Sequence, residues 1–263
     1  MKFLAYLQLF KFRYHITFIS VIIGVFAFAD KPLYTLLPAL GILYISFNVL
    51  LYGGLYTLND IGDIESASRH PQKKKRPLPS KKISIASAYI FALSCIASAL
   101  ITSLCYFGTT IFVIYISFIL INLSYTFIAK KIPYVELIVN SLTHSMRFLL
   151  GVFMVTAQRS YFPVPYFLFS AIFLTAFGFA CVRRIIELRA DGWETRPVLR
   201  YYTSTTLTIF QICAFILIII ISSLDSPSHY TWYGMIIALY SIFVFGIYFS
   251  HCIRNFFKWA WLN

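Results

Sequence analysis

The chain has 263 residues, of which 60% are hydrophobic, 19% are aromatic and only 12% are charged. This composition excludes a soluble globular domain and indicates a polytopic membrane protein. The net charge of +13 does not favour nucleic-acid binding, because an excess of lysine and arginine is what the topology of a membrane protein requires of its cytoplasmic loops. We therefore expect no nucleic-acid partner.

Eight apolar segments follow one another along the chain. Each is long enough to cross about 30 Å of hydrocarbon as a helix. Residues 1–12 precede them and are typical of a short helix at the membrane interface. The predicted fold is all-α, with one helical domain over residues 1–263. The predicted spans are 13–29, 35–58, 83–105, 109–128, 134–156, 164–182, 203–222 and 231–252.

The basic residues predict the orientation of the chain. With the N-terminus in the cytoplasm, all 22 lysines and arginines lie on the cytoplasmic side except Lys31, Arg147 and Arg159. Cytoplasmic loops carry the excess of positive charge, so this pattern places both termini inside. We expect a multi-pass protein of a bacterial or archaeal plasma membrane, with an active-site mouth on the cytoplasmic side.

An acidic cluster comes where the second span ends. Asn59, Asp60 and Asp63 lie at helical spacing, so the two carboxylates share a face. Mg²⁺ prefers hard oxygen ligands, keeps several waters and bridges to substrate phosphates, so two carboxylates are enough to hold it. The sequence predicts a magnesium site with these three residues as the catalytic group. The alternative is a solvated helix end that carries ordinary charges.

A basic run follows the acids within a few residues. Arg69 and Arg76 are candidate phosphate clamps, because a guanidinium group grips phosphate oxygens bidentately. His70 and Lys73 are candidates beside them. Topology and contact with anionic lipid explain most of the lysine run 73–75. Acids and bases together at a membrane surface suggest an enzyme that acts on a phosphorylated or diphosphorylated lipid substrate.

Further basic residues accompany the fourth and fifth spans. Tyr125 lies near the end of the fourth span, and Lys130 and Lys131 follow it. Arg147 lies within the fifth span, where ionisable residues are rare and mark functional sites. All four are candidates for binding substrate phosphate. The alternative for Arg147 is a structural partner for Glu136 or for backbone carbonyls.

A second loop of acids and bases continues the sixth span. Glu187 and Asp191 are four residues apart and face the same way, so they are candidates for a second metal-binding pair. Arg183 and Arg184 are candidates for binding an anionic head group. An internal salt bridge from Arg183 to Glu187 is the alternative. The two similar loops suggest two four-helix halves.

These motifs resemble those of the UbiA superfamily of intramembrane prenyltransferases. The first motif of that family is Asn-Asp-x-x-Asp-x-x-x-Asp, and it is matched at Asn59, Asp60 and Asp63. The region from Tyr125 to Arg147 is similar to the family pattern of spans 4 and 5. The resemblance covers residues from about 10 to about 250. It implies a UbiA-like bundle of about eight transmembrane helices, where the family usually has nine.

Decaprenyl-phosphate phosphoribosyltransferases are the branch that the chain resembles more. Their second motif, Lys-Arg-x-x-Glu-Leu, is similar to Arg183, Arg184, Glu187 and Leu188. The resemblance implies Mg²⁺-dependent transfer of a phosphoribosyl group from phosphoribosyl diphosphate to a polyprenyl phosphate, a step of cell-envelope biosynthesis. The first motif of the branch continues past the aspartates, and its further positions are occupied by Glu65, His70, Pro71, Lys73, Arg76 and Pro77.

The chain departs from the family at the third aspartate, where it has Ala67, so that either one metal ligand is lost or Glu65 or Asp191 takes its place. Two alternatives stay open. In one, the same fold transfers or cyclises a prenyl group from a prenyl diphosphate. In the other, the protein is a non-catalytic lipid-binding or transport protein. The sequence also leaves a homo-oligomer open.

Overall fold

The structure of the protein is a computed structural model that describes residues 2–69, 73–156, 164–190 and 197–262. Within these ranges every regular element is helical, which confirms the predicted all-α fold. Eight helical segments are long and apolar enough to cross a membrane, as predicted. They are Leu4–Phe28, Leu33–Gly62, Ile85–Phe107, Thr109–Lys131, Val135–Thr156, Tyr166–Arg189, Ser204–Leu224 and Pro227–Phe249.

The α-helices are numbered in chain order. The first part of the chain contains α1 (Lys2–Leu9), α2 (Ile19–Phe28), α3 (Leu33–Leu43), α4 (Tyr52–Gly62), α5 (Ile64–Arg69), α6 (Ile85–Thr102) and α7 (Thr109–Phe127). The rest contains α8 (Val135–Thr156), α9 (Tyr166–Arg189), α10 (Ser204–Leu224), α11 (Tyr230–Leu239), α12 (Gly246–Phe249) and α13 (His251–Leu262). A π-helical turn, Tyr44–Leu51, joins α3 to α4, so the two form one continuous span.

The chain divides into two compact units. The first unit comprises Met1–Phe127 and Leu149–Phe162, and the second comprises Ile128–Phe148 and Pro163–Asn263. One division falls near the end of the fourth span and another falls within α8, so the units correspond only in part to the two four-helix halves that the sequence suggested. The expectation that residues 1–263 form one domain stays a prediction.

In the first unit, α1 is part of a packed core. Its residues Ala5 and Leu9 are buried against Leu78, Ile83 and Ala88, which lie after the basic run and at the start of α6. The predicted interfacial helix is therefore held by the protein itself. This packing brings the turn after α1 and the segment after the basic run to the same end of the unit.

Glycines allow α4 to approach its neighbours closely in the first unit. A Cβ atom on Gly54 would lie 2.8 Å from the backbone oxygen of Ala92 in α6, well inside normal contact. On the adjacent position, a Cβ atom on Gly53 would lie 2.7 Å from the ring of Phe10. Only glycine leaves room for these two contacts, so Gly53 and Gly54 set how closely Phe10 and α6 pack against α4.

In the second unit, α9 and α10 pack along each other and a polar contact links them to the last span. The ring of Tyr240 lies over Gly178, where a Cβ atom would be 2.5 Å from the tyrosine hydroxyl oxygen. That hydroxyl donates to the backbone oxygen of Gln211 at 2.8 Å. At 12 residues, α13 is about 18 Å long and too short to be a ninth span.

Candidate active site

Asp60 is the buried acid of the first unit. It lies in the last turn of α4, and its side chain is 6% exposed. Its Oδ1 atom accepts a hydrogen bond from the ammonium group of Lys11 at 2.6 Å. The same oxygen accepts a second one from Nη1 of Arg76 at 3.3 Å. The carboxylate is thus held by two positive charges that come from distant parts of the chain.

Asn59 and Asp63 lie beside this acid at the end of α4. The side-chain amide of Asn59 donates to Oδ2 of Asp63 at 3.2 Å. The backbone N–H of Asp63 donates to the backbone oxygen of Asn59 at 3.0 Å, which closes the last helical turn. The predicted helical spacing of the motif is therefore present, and the amide orients the second carboxylate.

Lys11 is a site residue that the sequence did not single out. It follows α1 and adopts a left-handed backbone conformation, with φ 50° and ψ 52°. Its ammonium group lies 5.0 Å from the ring centre of Tyr56, a cation–π distance. A lysine at the entry of an apolar span was the available signal, but the positive-inside rule accounts for such a residue without any function.

Tyrosines line α4 on the side of Asp60. Tyr56 lies one turn before Asp60 and stacks on Tyr14, with ring centres 5.2 Å apart. Its hydroxyl is 2.7 Å from that of Tyr52, another turn away. The carboxylate therefore lies at the end of a row of aromatic rings on one helix face.

The basic run separates into residues near Asp60 and residues away from it. Arg76 contacts Asp60, as described above. Arg69 instead forms an ion pair with Glu65 one turn away in α5, and both side chains are largely exposed. Lys73 is exposed in a single 3₁₀ turn, Lys73–Lys75. His70 lies outside the described residues.

The second unit contains a buried network of opposite charges. Arg184 in α9 donates from Nε and Nη2 to the two carboxylate oxygens of Glu136 in α8. Its Nη1 atom donates to Oε2 of Glu187 at 2.6 Å. Arg183 donates to the other oxygen of Glu187 at 3.0 Å. The internal salt bridge considered from the sequence is thus present.

This network changes how Arg184 and Glu187 are interpreted. Arg184 is 2% exposed, and its guanidinium group faces two carboxylates, whereas the sequence led us to expect contact with a head-group phosphate. Glu187 has both carboxylate oxygens on arginines. Asp191, the expected second member of a metal pair, lies outside the described residues. Arg183 remains partly exposed beside Glu187.

Two tyrosines extend the network. The hydroxyl of Tyr202 donates to Oε1 of Glu136 at 3.2 Å and accepts from the backbone N–H of Tyr134 at 2.8 Å. Burial, followed by the negative charge of Glu136, raises the pKa of Tyr202 above its ordinary value, so the hydroxyl stays protonated. Tyr134 holds a left-handed backbone, with φ 65°. Sequence patterns alone did not point to either residue.

The other candidates of the fourth and fifth spans lie in different surroundings. Arg147 is 1% exposed, and its Nη1 atom donates to the backbone oxygen of Thr143 at 3.0 Å, one of the two structural partners considered for it. Lys130 and Lys131 belong to a 3₁₀ turn, Ala129–Lys131, where Lys131 is exposed. Tyr125 is half-buried near the end of α7.

The oxygen donors of the first unit fit one kind of Mg²⁺ site. Asp60 and Asp63 provide hard oxygen atoms, and one or two carboxylates are the usual protein share when substrate phosphates complete the shell. In the part of the chain that the structure describes, no group of three or more His, Cys, Asp or Glu side chains could hold a metal ion. These residues fit a cation shared with a phosphate and do not fit an all-protein metal cage.

A sequence model of the UbiA prenyltransferase family matches residues 17–259. The chain belongs to this family. Among curated proteins, the nodulation protein NoeC of Azorhizobium caulinodans is 29% identical over 141 residues, or 53% of this chain. The matched part is 44% of the length of NoeC, so this UbiA-family chain spans less than half of that relative.

Solved structures of UbiA homologues share the fold. The Archaeoglobus fulgidus homologue bound to GPP and Mg²⁺ has a TM-score of 0.77 and 17% identity, covering 98% of this chain and 95% of the homologue. The homologue from the same organism bound to DMAPP and Mg²⁺ has a TM-score of 0.75 and 17% identity, and the match covers 98% of this chain and 97% of the homologue. The apo homologue from Aeropyrum pernix K1 has a TM-score of 0.67 and 13% identity, and the match covers 95% of this chain and 92% of the homologue.

Ala67 marks where this UbiA-family chain departs from the aspartate motif. It lies in α5, is 4% exposed, and its backbone N–H donates to the oxygen of Asp63 at 2.8 Å. Burial at this position suits a methyl group better than an unpaired carboxylate. Glu65, one of the two expected replacements, points its charge to Arg69 at the exposed surface.

Proposed function

We propose that this UbiA-family protein transfers a phosphoribosyl group from phosphoribosyl diphosphate to a polyprenyl phosphate, with Mg²⁺ as cofactor. One observation carries the proposal, namely the difference between the two acidic loops. The first unit has a carboxylate pair, Asp60 and Asp63, which suits a metal-bound diphosphate. In the second unit, Glu187 is neutralised by Arg183 and Arg184. A basic second loop suits a lipid monophosphate.

The magnesium ion would be held by Asp60 and Asp63, with substrate phosphate oxygens completing its coordination. Bound there, it supplies positive charge that neutralises the departing diphosphate. Two structures of the Archaeoglobus fulgidus homologue, bound to Mg²⁺ together with GPP or with DMAPP, support this assignment. Asn59 would keep the second carboxylate oriented through the hydrogen bond described above.

The reaction needs little more than position and charge. The phosphate oxygen of the lipid forms a bond to the anomeric carbon of ribose, while the bond from that carbon to the diphosphate oxygen breaks. A phosphate monoester is already ionised, so no strong general base is required. Arg76, which lies within hydrogen-bond reach of Asp60, would stabilise the negative charge that collects on the leaving diphosphate.

Basic residues of the second unit are proposed to bind phosphate of the lipid head group. Arg183, which is 36% exposed, and the turn that contains Lys130 and Lys131 are the best placed by exposure. We assign Arg184 to positioning Glu187 and Glu136 through its buried contacts.

We also propose that both termini are cytoplasmic, which the distribution of lysine and arginine supports. We further propose that the product enters cell-envelope biosynthesis, which the motif resemblance supports.

A second candidate function is prenyl transfer from a prenyl diphosphate. The observation that favours it is that the Archaeoglobus fulgidus homologue is bound to GPP or to DMAPP. This reaction would use the same carboxylates for a metal-bound diphosphate, but the prenyl group would be the part transferred. It predicts consumption of GPP and indifference to phosphoribosyl diphosphate.

The test incubates the purified protein with Mg²⁺, a polyprenyl monophosphate and radiolabelled phosphoribosyl diphosphate, and measures label in the organic phase. We expect lipid-borne label, which falls by about 100-fold or more in Asp60→Asn and in Asp63→Asn. Glu65→Gln is the control, because it removes an exposed carboxylate of the same region. An absence of label, together with consumption of GPP in a parallel reaction, would replace the proposal by prenyl transfer.

A further inference from the structure

The position of Lys11 raises the question of what this lysine does at a metal site. Its ammonium group lies 2.6 Å from Oδ1 of Asp60, the shortest contact described for that carboxylate. The lysine side chain is 11% exposed and the aspartate 6%. A charge pair so shielded from water is stronger than a surface pair. A cation that binds Asp60 therefore competes with a lysine that is already bound.

The lysine is held at this place by the fold. Its left-handed backbone is uncommon for a residue other than glycine and has a cost that its surroundings must offset. The preceding residue, Phe10, has its ring against Gly53 of α4 and accepts a hydrogen bond at its backbone oxygen from Nε2 of His15 at 3.0 Å. On the other side of the turn, Leu9 is buried in the core cluster that also contains Leu78.

We infer that Lys11 is a built-in competitor of the divalent cation at Asp60, so that the metal binds tightly only together with a diphosphate that accepts the displaced ammonium group. The inference deepens the proposed function, because it rests on Asp60 as a metal ligand. Lysine suits this exchange, since its ammonium group is a compact charge on a flexible four-carbon stem. Arg76, on the same oxygen at 3.3 Å, adds to the competition.

The exchange has a thermodynamic consequence. Without diphosphate, the metal must displace Lys11 from Asp60 and leave the ammonium group of the lysine without this carboxylate. When diphosphate is present, the ammonium group finds a new anionic partner, and the displacement costs less. Diphosphate therefore raises metal affinity, and by linkage the metal raises diphosphate affinity by the same factor. Metal and diphosphate enter together, which prevents a lone cation from occupying the site.

The experiment measures Mn²⁺ binding to the purified protein by electron paramagnetic resonance, with and without inorganic diphosphate. We expect Lys11→Met to bind Mn²⁺ without diphosphate about tenfold more tightly than the unmodified protein, because the competing charge is gone. The increase in affinity on adding diphosphate should shrink by about the same factor. Lys74→Met is the matched control, since it removes one positive charge from the exposed basic run, and it should leave both quantities unchanged.

Two further variants complete the design. Lys11→Gln is a second neutral substitution that keeps a hydrogen-bond donor for Asp60, and it should repeat the result of Lys11→Met. Lys11→Arg keeps the charge and should behave as the unmodified protein does. Equal or weaker Mn²⁺ binding in both neutral variants without diphosphate overturns the inference, as does an equal gain in the Lys74→Met control.

Failure of this inference is distinguishable from failure of the proposed function. Asp60→Asn should lose Mn²⁺ binding, with or without diphosphate. If Asp60→Asn binds Mn²⁺ as well as the unmodified protein does, the metal site of the proposed function is wrong and the inference falls with it. If Asp60→Asn loses the metal while the neutral Lys11 variants leave affinity unchanged, the metal site stands and only the role of Lys11 is refuted.

Discussion

Removing either partner of the ion pair between Arg184 and Glu136 should strongly destabilise the second unit. The two side chains are 3% and 0% exposed, and the guanidinium group binds both carboxylate oxygens. Replacing Arg184 removes the guanidinium group that both carboxylate oxygens of Glu136 bind, and replacing Glu136 leaves the buried Arg184 with the contact to Glu187. Such a loss costs about 3–5 kcal/mol of the free energy of unfolding, whereas the intact pair adds little over well-packed apolar groups.

This reasoning is tested with a double-mutant cycle on protein purified in detergent. Arg184→Met and Glu136→Leu should each lower the midpoint of thermal unfolding by roughly 10 °C, as that free-energy loss implies for a chain of this size. The double variant should unfold at a higher temperature than either single variant, because no unpaired charge remains. The coupling is measured from the four midpoints.

The network gives the cycle a built-in check. Glu187 also receives a bond from Arg184, so Arg184→Met should cost somewhat more than Glu136→Leu. Two results would refute the argument. One is a double variant as unstable as the sum of the single ones. The other is a single variant whose unfolding midpoint changes by less than about 2 °C, as expected for a surface pair.

Three further predictions follow from the packing and from surface charges. Gly53→Ala should lower the unfolding free energy by about 1–3 kcal/mol, because the new methyl group meets the Phe10 ring at 2.7 Å; Gly41→Ala, with open space around it, is the control in thermal melts. Arg69→Ala should change the unfolding free energy by less than about 0.5 kcal/mol, because the ion pair it breaks is exposed, and a large fall in label transfer would then indicate phosphate binding. Burial alone raises the pKa of Asp225, but hydrogen bonds from a tyrosine, a backbone N–H and a histidine outweigh it and lower the pKa. The contribution of Asp225 to stability is therefore present above the unfolded-state pKa of about 3.9 and is lost as pH falls through the folded-state pKa. Thermal melts recorded at pH values across these two pKa values should show this loss, and the Asp225→Asn variant should not show it.

Part of the candidate site follows from spacing along one helix. Asn59, Asp60 and Asp63 could be assigned to a common face from the sequence, because the helical repeat places residues three and four apart together. The salt bridge from Arg183 to Glu187 follows from the same repeat, which predicts it as an alternative to a metal site. The helical repeat does not predict which residue of another helix pairs with each charge.

The sequence by itself determined the all-helical fold and its eight spans. A lipid core leaves backbone groups no partner but each other, so an apolar segment of sufficient length must form a helix wherever it occurs. The choice of partners for the charges was decided by tertiary structure alone. Lys11 meets Asp60 across 49 positions and Arg184 meets Glu136 across 48. Such contacts depend on how α1 packs near α4 and how α9 packs near α8, and packing of that kind leaves no periodic mark in the sequence.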